Sequence, residues 1–207
     1  MKNSKGLLVV LLSPSGGGKT TIYRAILERH PEFMYSISAT TRPPRINEIN
    51  GVDYIFLSDD EFLNKIDNGE FIEWAFVHGY RYGTLRATVE SALKKGAVML
   101  FDLDVQGADA MKKKFPEDVV NIFILPPTRE ELKRRLIMRK TDKEDVIELR
   151  LRNADAEVKK AMEYDYIVIN DDLNIAIDKV DAIISAELCR PQRQREILKN
   201  WNSSSSI

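Results

Sequence analysis
The sequence predicts an α/β protein, with a mostly parallel sheet held between helical layers. Three observations carry that prediction. Apolar runs at residues 7–12, 97–101 and 119–125, the last interrupted by Asn121, with a shorter one at 166–169, have the pattern of buried parallel strands. Segments with helical spacing of apolar residues separate these runs. The first run ends in a glycine-rich turn that leads straight into a helix.

That first stretch, residues 7–21, reads LLVVLLSPSGGGKTT. Strand, glycine turn and helix, with Lys19 and Thr20 at the exit of the turn, form the context of a phosphate-binding P-loop. Glycines let backbone N–H groups converge on an anion, and the helix points its positive end at it. Lys19 would reach the β and γ phosphates, and the Thr20 hydroxyl would hold Mg²⁺. The usual motif opens with Gly, where this chain has Ser13. A glycine turn that binds nothing is the plain alternative.

Composition bounds the rest. The 207 residues are 43% hydrophobic and 30% charged, which suits one globular domain with a sizeable core and room for insertions. A formal net charge of −1 gives no basic field for nucleic acid. One cysteine, Cys189, excludes an internal disulfide framework and a Cys-based metal cluster. No secretory leader pattern and no membrane-length apolar run are seen, so the expected compartment is the cytoplasm. Residues 203–206 are four serines and read as a disordered end.

In chain order, the first helix should run to about Glu28, before His30-Pro31. Residues 34–38 alternate and read as a short strand. Residues 40–45, TTRPPR, form a loop in which two prolines forbid a helix and stiffen the backbone between Arg42 and Arg45. Taken alone, that loop is equally a solvated basic turn. Residues 53–57 read as a strand. Ser58 and Glu61 form a capping box for a helix that buries Phe62, Leu63 and Ile66 and stops at Gly69. Residues 71–77, FIEWAFV, form an apolar strand carrying one carboxylate, Glu73, which needs a partner unless its face is solvated. Residues 78–83 read as a tight glycine turn with two tyrosines. Thr84 can cap a helix burying Leu85, Val89 and Ala92 and ending at Gly96. Residues 36–96 thus look like a small α+β unit inserted into the core.

The core resumes at 97–101 and ends in Asp102, the position expected of a Mg²⁺ partner after an apolar strand. After the strand 119–125, Thr128 and Glu131 suggest a second capping box, with Leu132 and Leu136 facing inward. Arg135 and Arg139 lie one turn apart on that helix. A helix over 144–162 should bury Ile147, Leu151, Ala154 and Val158 and present Arg150, Asn153 and Glu157 elsewhere. A last strand, 166–169, precedes Asn170-Asp171-Asp172. A last helix, 174–188, turns Ile177, Val180, Ile184 and Leu188 to one side. His30 reads as a helix-end residue, His78 as a turn residue and Cys189 as a buried or half-buried thiol.

Together these motifs resemble the guanylate kinase family. The P-loop, SATTRPPR (38–45), NGVDY (50–54), FIEW (71–74), YGT (82–84), FDLDVQG (101–107), the Arg135/Arg139 helix and VINDD (168–172) match it in order and spacing over about residues 5–188. The resemblance implies a P-loop α/β/α core at 1–35, 88–126 and 158–190, a GMP-binding domain at 36–87, a helical lid at 127–157 and a C-terminal tail at 191–207. It implies transfer of a phosphoryl group from ATP to GMP, and by extension dGMP, with Mg²⁺. Ser15, Gly16, Gly17, Gly18, Lys19, Thr20 and Thr21 would hold ATP, with Asn170 near the adenine. Arg42, Arg45, Tyr54 and Tyr82 would hold the GMP phosphate. Ser38, Glu73, Thr84 and Asp104 would address the guanine. Thr20 and Asp102 would serve Mg²⁺. Lys19, Arg45, Arg135, Arg139 and Arg150 would carry the transfer. The family often has Gly-Arg-Gly around the second lid arginine; here it is Met138-Arg139-Lys140, which moves the expected bend towards Thr141-Asp142.

The residue chemistry agrees with the resemblance. Guanine presents two adjacent N–H donors, which a carboxylate such as Glu73 accepts, and a carbonyl, to which Ser38 and Thr84 can donate. Adenine would leave Glu73 unpaired, so discrimination of about 10²-fold or better follows. The competing readings are a kinase-dead interaction module, a kinase for another nucleotide and a P-loop GTPase. The first is disfavoured by the presence of Lys19, Arg42, Arg45, Glu73 and Asp102. The last is disfavoured by the lack of an Asn-Lys-x-Asp-like guanine reader. The sequence does not separate a monomer from a homodimer.

Overall fold
The central strand β1, Leu7–Leu12, is buried along its whole length because both of its faces are covered. Leu7, Val9 and Leu11 face one helical layer, packing with Ile22 and Ile26 of helix α1 (Lys19–Arg29) and with Ala176, Ile177, Val180 and Ile184 of helix α7 (Leu173–Leu188). Leu8, Val10 and Leu12 face the other, with Val89 and Ala92 of α3 (Arg86–Lys94) and Ala108 and Met111 of α4 (Val105–Lys114). This is the three-layer arrangement that the uninterrupted apolar run requires. The computed structural model describes residues 5–77, 79–138, 143–195, 197, 198 and 201. His78, Arg139, the expected bend at 141–142 and the serines at 203–206 lie outside the described residues.

Two sheets form. The core sheet is wholly parallel, in the order β2 (Met34–Tyr35), β7 (Val98–Asp102), β1, β8 (Val119–Leu125), β9 (Tyr166–Ile169). Its register sets Leu11 beside Asp102, so the P-loop and that carboxylate leave adjacent strands at the same end. The second sheet runs β4 (Ile55–Phe56), β3 (Ala39–Thr40), β6 (Tyr80–Leu85), β5 (Phe71–Val77). A helix, α2 (Asp59–Asp67), shares its small core: Ala39, Phe62 and Phe71, the two rings stacked with centroids 4.4 Å apart. Helices α5 (Arg129–Met138) and α6 (Glu144–Lys159) pack on each other through Leu132, Leu136, Ile147, Leu151 and Ala154.

Several expectations are corrected. The turn read at 78–83 is shorter: Gly79, at φ +87°, turns the chain, and Tyr80 to Gly83 already pair with β5. Helix α4 was not foreseen, because Gly107 and a run of lysines leave only Ala108 and Met111 as an apolar stripe. Leu63 is 41% exposed, since only the Phe62–Ile66 stripe of α2 meets the sheet. Val158 is 38% exposed, because α6 extends past the ten-residue α5 that covers it. Helix α6 ends at Lys159, and a 3₁₀ turn over Ala161–Glu163 follows. The capping box at Ser58/Glu61 forms in full. The one at Thr128 is half made: Glu131 N–H donates to Thr128 Oγ1 at 3.1 Å, while the Glu131 carboxylate turns to Arg134 and Arg135. Cys189, at the end of α7, is exposed. His30 does close α1, with its Nε2 2.8 Å from Asp181 Oδ1.

The segment after α7 contributes to the core. Arg193, in the 3₁₀ turn Pro191–Arg193, is 1% exposed. Its guanidinium donates to the carbonyls of Gly6 (2.7 Å), Glu187 (3.1 Å), Glu117 (3.3 Å) and Asp118 (3.4 Å). One side chain thus ties the chain end to the entries of β1 and β8. Arg193→Ala would leave the Gly6 and Glu117 carbonyls without this donor, while Asp118 and Glu187 keep backbone donors in Leu8 and Arg190. It is expected to lower the unfolding free energy by roughly 3 kcal/mol, read as a lower urea midpoint at an unchanged m-value. A midpoint equal to that of the parent chain would show the tie to be dispensable.

Candidate active site
The P-loop conformation comes from two left-handed glycines, Gly16 (φ +95°) and Gly18 (φ +99°), with Gly18 as the N-cap of α1. Neighbours fill the space that side chains would take. A Cβ on Gly18 would collide with the Asn170 amide, and one on Gly17 with the Ser13 hydroxyl. Ser13 therefore fits in place of the usual glycine because Gly17 has no side chain; its Oγ donates to the Pro14 carbonyl at 3.0 Å. Asn170 Nδ2 donates to the Gly17 carbonyl at 2.8 Å, so the end of β9 braces the loop. Ser15, Thr20 and Thr21 are exposed around it.

Lys19 Nζ forms an ion pair with Asp102 Oδ1 and lies 3.4 Å from the Leu103 carbonyl. The cleft around them is lined by Ser13, Lys19, Asp102, Asp104 and Glu157. Asp104 also caps α4, with its Oδ1 accepting from Gly107 N–H at 2.8 Å. Burial pushes the Glu157 carboxyl above the usual range; Lys19 opposes that shift and Asp104 adds to it.

A second pocket shares the Asp102–Asp104 wall and is lined by Ser38, Tyr54, Glu73 and Tyr82. Glu73 projects from β5 beside Thr84 of β6, its cross-strand partner. Thr84 Oγ1 donates to Glu73 Oε1 at 2.6 Å. Thr84 is therefore the partner of the carboxylate; the N-cap of α3 is Leu85, with no side-chain cap. Burial raises the Glu73 pKa, the Thr84 hydrogen bond lowers it, and nearby Asp104 raises it. At the rim of this pocket, Arg42 lies over the Tyr54 ring at 5.2 Å and bonds Glu48 Oε1 at 2.7 Å. The Arg45 side chain is exposed.

The α5–α6 pair closes the other side. Arg135 Nη2 donates to the Asn170 carbonyl at 2.8 Å, and its Nε to Glu131 Oε1 at 2.7 Å. Arg134 and Arg135 hold the Glu131 carboxyl down at about 2. Arg150 Nη1 donates to the Ser15 hydroxyl. Arg135, Asn170, Gly16, Gly18 and Thr21 share a third pocket. Ser38, Tyr54, Glu73 and Tyr82 thus line one pocket and Lys19 the one that adjoins it through Asp102 and Asp104, while Gly16, Gly18, Thr21, Arg135 and Asn170 line the third; Arg45 is exposed and Arg139 lies outside the described residues. The sequence assigns no role to Glu48 or Glu157 and only a capping role to Glu131; for Glu48 and Glu131 a carboxylate three to six residues from a candidate arginine is the available signal.

A family model described as "Guanylate kinase" matches residues 5–187. The chain belongs to the guanylate kinase family. The guanylate kinase of Chelativorans sp. (strain BNC1) is 50% identical over 190 residues, covering 92% of this chain and 87% of its own length. That of Brucella melitensis biotype 1 is 53% identical over 191 residues, with the same two coverages, 92% and 87%. The crystal structure of guanylate kinase from Anaplasma phagocytophilum superposes with a TM-score of 0.75 at 36% identity, covering 96% of each chain. In this chain the carboxylate of FIEW and the hydroxyl of YGT face each other across β5 and β6.

The Glu73–Thr84 contact makes a signed prediction. Thr84→Val removes the donor that favours the carboxylate, so the Glu73 pKa is expected to rise further above the usual glutamate value of about 4.3. A ¹³C-detected pH titration of labelled glutamate would read it. A fall, or no change, would contradict the assigned hydrogen bond.

Proposed function
We propose that the cleft between the two sheets brings the γ-phosphoryl group of ATP in line with the phosphate of GMP, with Mg²⁺ bound beside ATP and the α5–α6 lid closing over both. Family membership makes ATP-dependent phosphorylation of GMP to GDP the activity of the chain. The observation that supports this use of the cleft is its shared wall. Asp102, Leu103 and Asp104 line both the Lys19 pocket and the Glu73 pocket, so donor and acceptor would meet there. In this reading residues 36–87 form the GMP-binding domain and 127–157 the lid. The core comprises 1–35, 88–126 and 158–190, and 191–207 the C-terminal part.

Each side chain has a task that its chemistry suits. Ser15 to Thr21 offer backbone N–H groups and a helix N-terminus to the ATP phosphates. Lys19 supplies positive charge at the β and γ phosphates. Asn170 braces the loop and borders the pocket proposed for adenine. Glu73 accepts from the two guanine donors, with Ser38, Thr84 and Asp104 completing the guanine edge. Arg42, Arg45, Tyr54 and Tyr82 hold the GMP phosphate. Arg135, Arg139 and Arg150 neutralise charge as the phosphoryl group passes. No general base is required, because the acceptor phosphate is already an anionic nucleophile.

Mg²⁺ takes hard oxygen donors and keeps waters and phosphate oxygens in its shell. Among the described residues no group of three or more His, Cys, Asp or Glu side chains is set to hold a metal alone. The Thr20 hydroxyl and the Asp102 carboxylate are oxygen donors beside the P-loop, which fits a metal that arrives with nucleotide. When bound, it would neutralise charge on the β and γ phosphate oxygens. The reading uses no 2′-hydroxyl, so dGMP is accepted as well. No helix among the described residues is long and apolar enough to cross a membrane, and a cytoplasmic place fits nucleotide substrates.

A coupled assay with ATP, Mg²⁺ and, in turn, GMP, AMP, UMP and dTMP tests the reading. GMP should exceed AMP in kcat/KM by about 10²-fold or more; equal turnover would overturn it. In the same assay Glu73→Gln is expected to raise the GMP KM by about tenfold or more, with the ATP KM changed by less than about threefold. Equal losses for both nucleotides would remove Glu73 from the guanine site. Lys19→Ala should lower kcat by about 10²-fold or more while leaving the fold intact. Near-parental turnover by that variant would refute the P-loop assignment.

A further inference from the structure
The loop between β3 and β4 holds a carboxylate whose position none of the readings above uses. Glu48 Oε1 accepts from Arg42 Nη2 at 2.7 Å, and its Oε2 accepts from the Arg45 backbone N–H at 2.8 Å. One carboxylate thus bridges a side chain six residues upstream and a backbone donor three residues upstream. The Glu48 backbone N–H returns a bond to the Arg45 carbonyl at 3.0 Å. Side-chain exposure is 12% for Arg42 and 16% for Glu48, so the pair is largely shielded from water.

Arg42 is held from two directions. On one side its guanidinium carbon lies 5.2 Å from the centre of the Tyr54 ring, and nearby Tyr82 joins Glu48 in raising its pKa. These two tyrosines line the pocket that contains Glu73, whose lining includes neither Arg42 nor Glu48. On the other side Glu48 takes Nη2 and the Pro43 carbonyl takes Nη1 at 2.7 Å. The loop has no strand or helix between Thr40 and Ile55, and two of its residues are prolines with no N–H to give. Its shape therefore depends on side chains that accept from its backbone. Besides Glu48, Asp53 accepts from Ile49 N–H at 2.8 Å and Asn50 from Phe56 N–H at 2.9 Å.

We infer that Glu48 is a positioning residue for the acceptor phosphate: it fixes the Arg42 guanidinium and the Arg45 backbone before a nucleoside monophosphate arrives, and stays behind Arg42 rather than in the phosphate's place. The inference rests on the reading that the GMP phosphate lies against Arg42. An unrestrained arginine would have to be ordered by the ligand, at the expense of affinity. Glu48 removes that cost. With Glu48 and Asp53 balancing Arg42 and Arg45, the loop carries no net charge, so the placement of the Arg42 guanidinium, and not an excess of charge, is what favours a phosphate. Arg42 and the Arg45 N–H hold the Glu48 carboxyl below the usual range, so it stays ionised at neutral pH.

Calorimetric titration with GMP and with guanosine, which lacks the phosphate, tests this on the parent chain and on Glu48→Ala, Glu48→Gln, Arg42→Ala and the Arg42→Ala/Glu48→Ala pair. Glu48→Ala should weaken GMP by about tenfold or more and leave guanosine within about twofold. Glu48→Gln, which keeps one acceptor oxygen, should fall between Glu48→Ala and the parent. In the Arg42→Ala background the effect of Glu48→Ala should shrink below about threefold, because the carboxylate acts through that arginine. Tighter or unchanged GMP binding by Glu48→Ala, with Arg42→Ala still weakening GMP, would overturn the positioning role and leave the phosphate site standing. Equal weakening of GMP and guanosine would mean that Glu48 only scaffolds the loop. An Arg42→Ala variant that binds GMP as the parent does would overturn the phosphate site itself, and the positioning role with it.

Discussion

The backbone of residues 13–18 is the constraint on which the cleft depends. A loop that turns several N–H groups to one side has to adopt left-handed conformations, and Gly16 and Gly18 provide them. Such a loop has few side chains of its own to hold it. Its support comes from elsewhere in the chain: Asn170, at the end of β9, bonds the Gly17 carbonyl and fills the volume beside Gly18. Leu132 and Leu136 of α5 lie where a Gly16 side chain would go. The empty side of each glycine is thus a contact surface for another element. This is why the loop, the last strand and the α5–α6 pair share one site.

Around that loop, charge is arranged in internal pairs. Lys19 meets Asp102, Arg42 meets Glu48, Arg135 meets Glu131, and Glu73 accepts from Thr84. A half-buried ion without a partner would cost several kcal/mol in desolvation, so these pairings let the protein carry many charges in one cleft. They differ in which effect prevails. Glu131, half-buried and bonded by two arginines, is held at about 2. Glu73 and Glu157, also half-buried, move upward because desolvation outweighs a hydrogen-bond donor and a lysine respectively. Two carboxylates of one residue type are thereby given opposite tendencies by their surroundings.

The α5–α6 pair stands apart energetically. Its own core is five residues, and besides the contact of Leu132 and Leu136 with Gly16 its links to the rest include the hydrogen bonds of Arg135 to the Asn170 carbonyl and of Arg150 to Ser15. Within the pair, Arg129 bonds Asp155 at 2.9 Å. Small apolar contact areas joined by hydrogen bonds are the low-stability end of a structure, and elements that close over substrates are drawn from it. The second sheet is similar in scale, with an apolar core of Ala39, Phe62 and Phe71. By contrast, the parallel sheet is buried on both faces, and Arg193 ties its entry edge to the chain end.

The sequence by itself determined the parallel core, because residues 7–12 have no polar member and residues 119–125 only Asn121, so both strands require two covering layers. It also determined the P-loop, since Gly16, Gly18 and Lys19 are local requirements of one turn and the helix that follows. Glu73 could be singled out as a carboxylate needing a partner, but the partner could not. Thr84 satisfied a helix-cap pattern as well as it satisfied a cross-strand pairing, and only the β5–β6 register decided between them. Helix α4 was hidden because its short apolar stripe gains meaning only against the sheet it covers. The buried place of Arg193 was invisible for a similar reason: its acceptors are carbonyls at residues 6, 117, 118 and 187. Periodicity and turn chemistry are written within a few residues of chain, whereas the partner of a charge is chosen by whatever the fold brings within three ångströms.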